Sequence, residues 1–268
     1  MTTVNSKFEM EALVDFHFKS LQGTYFSEYI VRDGYVLLFS DLVEDSYYNY
    51  IAQTTKSLSN ILLEVRPLFQ ERNRKIAIYV TPSSNIYNNE KLIPEGFKQW
   101  GADAYMVLND PTVLVNYKIP QDVMVEPVSY ESRDKFVNTF QLAYGGDNPN
   151  DPYANLPEYY SKSLRRSFDN HSNAYRMDYI WATIDKKPVG IAQMLSGNKT
   201  AGIYSVGTIK EYRKRGIGMS LMAYLGKRAA DLGISAIMLQ TESGSGVESW
   251  YKHMGFNTVF IAKYYVES

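Results

Sequence analysis

Tyr212-Arg213-Lys214-Arg215-Gly216-Ile217-Gly218 is the stretch on which the reading of this chain turns. The nine residues Ala201 to Ile209 just before it have the composition of a strand. After it, Ile217, Leu221, Leu225 and Leu232, with Ala229 between, recur at helical spacing, and Gly233 stands where a glycine ends a helix. A basic, glycine-containing turn therefore links a strand to a helix N-terminus. Free backbone N–H groups and the positive end of the helix dipole face outward there, and missing glycine side chains allow close approach, so the geometry suits a diphosphate. From Lys210 to Arg228, six basic residues stand against the single acid Glu211, in a chain whose net charge is −1. The charge is local to this segment. The plainer alternative is a solvated helix start.

Composition sets outer bounds. At 268 residues the chain can hold one large domain or two ordinary ones. It has no cysteine, so disulfides and thiolate metal sites are excluded. His17, His171 and His253 are too scattered for a metal cluster, and no metal is expected. Near-neutral charge argues against general nucleic-acid binding. No stretch reads as a signal peptide or approaches the roughly 20 apolar residues of a membrane span, which makes the cytoplasm the expected compartment. Tyrosine is unusually common at 23; most are read as structural or surface residues, and some are candidates to line a pocket.

The segment Val206 to Gly218 resembles the acetyl-coenzyme A signature of the GNAT acyltransferase superfamily, a strand followed by Arg-x-x-Gly-x-Gly opening a helix. A second signature follows in order. Ile237 to Thr241 reads as a buried strand, and Val247 to Phe256 resembles the family's helix ending Tyr-x-x-x-Gly-Phe, here Tyr251 to Phe256. Val259 to Val266 reads as the last strand. The resemblance covers roughly residues 123–266. It implies an α/β (α+β) fold with a mixed central sheet flanked by helices. Where many members carry Asn at the start of the last helix, spacing places Gly244, flanked by Ser243 and Ser245.

A boundary is expected near 109–122, between Asn109-Asp110-Pro111 and Pro120-Gln121-Asp122, giving domains 1–120 and 121–268. The second reads βααβββαβαβ: strand Val123–Val128, helices Arg133–Tyr144 and Pro157–Phe168, a hairpin of Met177–Ile184 and Pro188–Leu195, strand Ala201–Thr208, then the elements above. The polar loop Tyr144 to Tyr153 is read as facing the acceptor, or as a plain connecting loop. The first domain faintly repeats the later half of this plan. Leu58 to Phe69 has helical spacing interrupted by Pro67, Ile76–Val80 is a strand, and Gly96-Phe97 precedes Ala104–Leu108 as Gly255-Phe256 precedes the last strand. The residues before its helix, Gln53-Thr54-Thr55-Lys56-Ser57, contain no glycine, so this degenerate acyltransferase-like domain is not expected to bind cofactor. An unrelated α/β domain is the alternative.

The resemblance implies a cofactor site of Val206, Gly207, Thr208, Arg213, Lys214, Arg215, Gly216, Ile217, Gly218, Met219 and Ser220, with Gly244. It implies Tyr251 as the group beside the departing sulfur. The strand at Val206 and Thr208 would pair with the pantetheine arm of acetyl-CoA as an added strand pairs with a sheet edge. No carboxylate lies in Ile203–Ile209 to serve as base, which leaves Glu242, Asp178 or a water chain. The expected activity is acetyl transfer from acetyl-CoA to a primary amine of a small molecule or peptide. The competing reading is a silent acyl-CoA sensor or protein-interaction module. A homodimer is one option for assembly, and neither a membrane nor a nucleic-acid partner is expected.

Overall fold

The computed structural model describes residues 7–87, 93–94, 96–145, 156–169 and 174–268. Its principal elements, in chain order, are α1 (Lys7–Ser20), β1 (Glu28–Arg32), β2 (Tyr35–Phe39), β3 (Tyr50–Ala52), α2 (Leu58–Glu71), β4 (Ala77–Val80), β5 (Phe97–Leu108), β6 (Met124–Pro127), α3 (Arg133–Tyr144), α4 (Glu158–Ser167), β7 (Arg176–Ile184), β8 (Lys187–Gly197), β9 (Thr200–Thr208), α5 (Ile217–Asp231), β10 (Ala236–Glu242), α6 (Gly246–His253) and β11 (Asn257–Glu267). The helices and strands from residue 123 onward fall where the periodicity places them. Most of the loop expected to face the acceptor, residues 146–155, lies outside the described residues, as does His171. Among the described residues no helix is long and apolar enough to cross a membrane.

The chain divides into two compact units, and the division does not follow the sequence boundary near 109–122. One unit holds Met1–Met106 together with Gln240–Ser268, the other Val107–Leu239. The reason is strand pairing. β11 runs antiparallel to β4, Tyr264 opposite Tyr79 and Val266 opposite Ala77, which ties the C-terminal strand to the N-terminal segment.

In the second unit the strand order is β10-β9-β8-β7-β6. β6 to β9 form an antiparallel meander, and α5 carries the chain across to β10, which lies parallel to β9. The β7–β8 turn is made by Asp185 and Lys186 at φ +50° and +63°, and the β8–β9 turn by Asn198 and Lys199 at +49° and +64°. Two consecutive left-handed residues are the hairpin geometry that matches strand twist. Phe136, Phe140, Leu164, Phe168 and Tyr179 join α3 and α4 to one face of this sheet. The helix α5 packs on β8 through Gly190, where an added Cβ would lie 2.6 Å from Ile217. Gly226 lets the 3-10 turn Pro111–Asn116 approach α5 equally closely, its missing Cβ falling 2.5 Å from Leu114.

The first unit has strand order β1-β2-β3-β4-β11-β5 and repeats the same plan in reduced form. β1 to β3 form an antiparallel meander, and α2 crosses to β4, parallel to β3. Pro67 lies inside α2, which stays one helix. Gly96 and Gly255, at φ +92° and +94°, precede β5 and β11 alike. Strand alternation splits the core into two faces. Ile78, Val80 and Tyr265 join Ile61, Val65 and Phe69 of α2. Tyr79 and Tyr264 point to the other face, where Phe18 of α1, Tyr50 and Tyr105 complete a layer of rings that are all less than 2 % exposed.

That layer contains ionisable groups. His17, 7 % exposed, packs edge-on to Tyr105, and burial holds its pKa down to about 3, so it is neutral. Asp103, 6 % exposed, accepts a hydrogen bond from the Tyr47 hydroxyl at 2.8 Å, with Tyr264 and, at 3.5 Å, Tyr79 as further phenolic donors. Burial pushes Asp103 up to about 7, against the pull of these phenols, and the Glu242 carboxylate adds to the rise. A carboxyl whose pKa is higher folded than unfolded favours folding most when protonated. The wild type should therefore lose stability relative to Asp103→Asn as pH rises from about 4 to about 7. Urea denaturation of both proteins at pH 4.5, 6 and 7.5 checks this, and parallel profiles would show that Asp103 ionises normally.

Candidate functional site

The site is built from what β9 leaves unpaired. Against β8, the pairs Gln193–Tyr204 and Ile191–Gly207 bracket one residue on β8 and two on β9, so β9 carries a bulge. Ser205 sits in it at φ +53°, a conformation that costs a non-glycine residue on the order of 1–3 kcal/mol. On its other edge β9 pairs with β10 through Thr200, Ala201 and Gly202, opposite Ala236, Ile237 and Met238, and it continues through the bulge to Thr208. A strand edge is the kind of template with which an extended, amide-bearing chain can pair. On the helical face Gly207 admits α3, where a Cβ would lie 2.9 Å from Ala143, and the Tyr144 hydroxyl donates to the Val206 carbonyl at 3.0 Å.

The turn after β9 aims the next donors. Lys214 at φ +63° and Gly216 at φ +78° bend the chain into α5. The first helical hydrogen bond runs from Ser220 N–H to Gly216 C=O at 2.9 Å. The N–H groups of Ile217, Gly218 and Met219 thus have no intrahelical acceptor. The first turn of α5 contains no acid, and Gly216 supplies no capping side chain. A helix start with neither is suited to an external anion.

The basic residues around this turn divide into two roles. Arg213 folds inward, donating to the Thr208 carbonyl at 3.1 Å and the Ala143 carbonyl at 3.0 Å, which locks turn, strand and α3 together. Arg215 pairs with Asp122 at 2.7 Å and lies over the Tyr212 ring. Lys227 pairs with Asp231, and Arg228 with Asp178. Lys210 and Lys214 are exposed at the turn, and Arg213, hydrogen-bonded to neutral carbonyls, keeps its charge there as well.

Val206, Gly207, Thr208 and Arg213 through Ser220 are therefore brought together as one strand–turn–helix in the second unit. Gly244 and Tyr251 belong to the first unit. The Gly244 N–H donates to Glu248 Oε2 at 2.7 Å, so that donor is already engaged. Ser245 caps α6 by accepting from Glu248 N–H at 3.1 Å. Lys252, the Thr258 hydroxyl and Gly244 together hold the Glu248 carboxyl down to about 2. Tyr251 is 6 % exposed, packed against Trp250 and Phe256, and burial pushes its phenol far above the usual range. Of the candidate bases, Asp178 is held by Arg176 at 3.0 Å and Arg228 at 3.3 Å, whereas Glu242 is exposed. Sequence reading missed the Ser205 bulge, the Tyr144 contact and the inward turn of Arg213. A left-handed serine leaves no mark in periodicity, and the two contacts join residues 62 and 70 positions apart.

A bulged strand thus runs into an uncapped, glycine-led helix start. The profile of the Acetyltransferase (GNAT) family matches residues 142–256. That segment is a GNAT-family acetyltransferase domain. No curated protein matches the sequence. Among solved structures the chain is similar to a GCN5-related N-acetyltransferase from Kribbella flavida, at 15 % identity over 96 % of this chain and 95 % of that one, with a TM-score of 0.70. It is also similar to a conserved protein of unknown function from Staphylococcus epidermidis, at 16 % identity over 93 % and 96 %, with a TM-score of 0.69. A tandem GNAT protein from the clavulanic acid biosynthesis pathway matches at 12 % identity over 88 % and 80 %, with a TM-score of 0.61. At these identities the likeness is one of fold. It extends over the N-terminal part as well, as the repeated plan of the first unit requires.

Gly216→Asp should abolish acetyl-CoA binding, because it puts a Cβ in a left-handed position 3.1 Å from Pro120 and adds negative charge at the helix start. Gly216→Ala, with the strain but no charge, should retain weakened binding. Calorimetry on the three proteins checks the order, and equal affinities would rule out this turn as the anion site.

Proposed function

We propose that the chain is an N-acetyltransferase that moves the acetyl group of acetyl-CoA to a primary amine of a small molecule or peptide by direct attack. The observation that carries the reading is the bulged strand β9 leading through the left-handed turn at Lys214 and Gly216 into the uncapped N-terminus of α5. In this reading Val206, Gly207 and Thr208 pair with the pantetheine amides. The N–H groups from Ile217 to Met219 receive the diphosphate, with Lys210 and Lys214 adding charge. A backbone N–H at the bulge polarises the thioester carbonyl. The neutral amine attacks that carbon, the tetrahedral oxyanion collapses, the C–S bond breaks, and the amine's proton leaves through water or Glu242.

The reading assigns Tyr251 to the departing thiolate, from its place in Tyr-x-x-x-Gly-Phe. Its raised pKa keeps the phenol protonated, and also keeps it far above a thiol's ~8.5, so it acts by donating a hydrogen bond rather than by giving up its proton. Tyr251→Phe should lower kcat by about 10²-fold, the low end for general acid groups, with little change in acetyl-CoA affinity. Steady-state kinetics test this, and a fully active Phe variant would make Tyr251 a packing residue. A screen of amines with acetyl-CoA, following free thiol, tests the activity itself. Thiol release with no amine in a broad panel would favour the silent acyl-CoA sensor.

The first unit is read as a degenerate copy without a cofactor site. At the position of the glycine turn, between β3 and α2, Thr55 N–H already donates to the Gly34 carbonyl at 2.8 Å, and Lys56 pairs with Asp33. The carbonyls of Thr54 and Lys56 accept from Asn85. One acetyl-CoA should bind per chain, and a calorimetric stoichiometry of two would contradict this. A cytoplasmic setting, where acetyl-CoA is available, fits the same reading.

A further inference from the structure

Ser205 sits in the β9 bulge in a left-handed conformation, at φ +53°. A strained backbone persists only where its surroundings over-determine it. Before the bulge the ladder does this, with Tyr204 opposite Gln193 of β8. After it the ladder resumes at Gly207, opposite Ile191. Val206 falls between the two paired positions.

A side chain from α3 holds Val206. Its carbonyl accepts a hydrogen bond from the Tyr144 hydroxyl at 3.0 Å. Tyr144 is the last residue of α3, and its ring is brought to the strand by packing on both sides. It lies against Phe140, one turn back, with centroids 4.8 Å apart, and Phe140 belongs to the core that joins α3 to the sheet. On the strand side, Gly207 has no side chain where a Cβ would fall 2.9 Å from the Tyr144 ring and from the Ala143 methyl. Arg213 then bridges the Ala143 and Thr208 carbonyls, at 3.0 and 3.1 Å. The end of α3 is thus tied to both ends of Val206-Gly207-Thr208. Pinning the Val206 carbonyl sets the plane of the Val206–Gly207 peptide, because that unit is rigid and trans. With Tyr204 held by the ladder, the Ser205–Val206 peptide between these anchors has little freedom left.

We propose that Tyr144 is a positioning residue for acetyl transfer, its hydroxyl holding the bulge so that a backbone N–H there meets the thioester carbonyl of acetyl-CoA. This role rests on the acetyl-transfer reading of β9, and in it Tyr144 acts through the backbone.

Isotope-edited infrared spectroscopy of the full chain with acetyl-CoA labelled at the acetyl carbonyl carbon reads that polarisation without any amine acceptor. A hydrogen bond lowers the carbonyl stretching frequency. Tyr144→Phe keeps the ring on Phe140 and removes the donor, so the band of bound acetyl-CoA should move to higher frequency. Calorimetric affinity for CoA, which lacks the acetyl carbonyl, should stay unchanged, because the helix start that receives the diphosphate is untouched. Tyr179→Phe is the control. It removes another hydroxyl of the same unit, bonded to Ser167 at 2.8 Å, and should leave the band in place. An unmoved band in Tyr144→Phe, an equal shift in Tyr179→Phe, or parallel loss of CoA and acetyl-CoA binding in Tyr144→Phe would overturn the positioning role alone. Failure of the wild type to bind acetyl-CoA would overturn the acetyl-transfer reading, and the role with it.

Discussion

The constraint on which the candidate site depends is the run of left-handed residues that carries β9 into α5. The bulge at Ser205 shifts the register of β9 against β8, leaving Gly207 opposite Ile191. Backbone N–H groups without an acceptor are costly when buried. The left-handed turn at Lys214 and Gly216 spends no side chain on capping α5, and its first N–H groups are left for something outside the protein. The inward-folded Arg213 ties the two halves of this arrangement by bonding to Thr208 at the end of β9 and Ala143 on α3. Its role here is mechanical, since it holds the backbone in the shape that exposes the donors.

The positive charge of the segment is therefore smaller than its composition suggests. Three of the six basic residues between Lys210 and Arg228 are offset by carboxylates, Arg215 by Asp122, Lys227 by Asp231 and Arg228 by Asp178. Arg213 bonds neutral carbonyls and keeps its charge. Anion binding by this turn rests on oriented amides and the helix dipole, with Lys210, Arg213 and Lys214 adding charge. Such a site is less sensitive to salt than one made of surface lysines alone, because backbone dipoles are fixed and partly screened from solvent.

Much of this was legible in the sequence because local rules dictate it. Gly216 and Gly233 bracket α5 as a left-handed entry and exit, and both glycines have positive φ. Arg133–Tyr144 shows its apolar face at Phe136, Val137 and Phe140, and all three are buried. What escaped was non-local or set by backbone alone. The bulge at Ser205 has no residue signature. The pairing of β11 with β4 joins positions about 185 apart, as Tyr264 and Tyr79 show, so the compact units are not the two consecutive halves that the Pro-flanked segment near 109–122 suggests. The abundance of tyrosine was visible as a number, whereas its gathering around Asp103 depends on strands from both ends of the chain.

Backbone amide hydrogen exchange on the full chain, with and without acetyl-CoA, tests the central claim most directly, because it reads the donors themselves. The account predicts that the cofactor slows exchange at amides between Ile203 and Thr208 and at Ile217, Gly218 and Met219, and leaves the Gln53–Ser57 turn unchanged. Protection absent from β9 and the start of α5, or appearing instead at Gln53–Ser57, would contradict it.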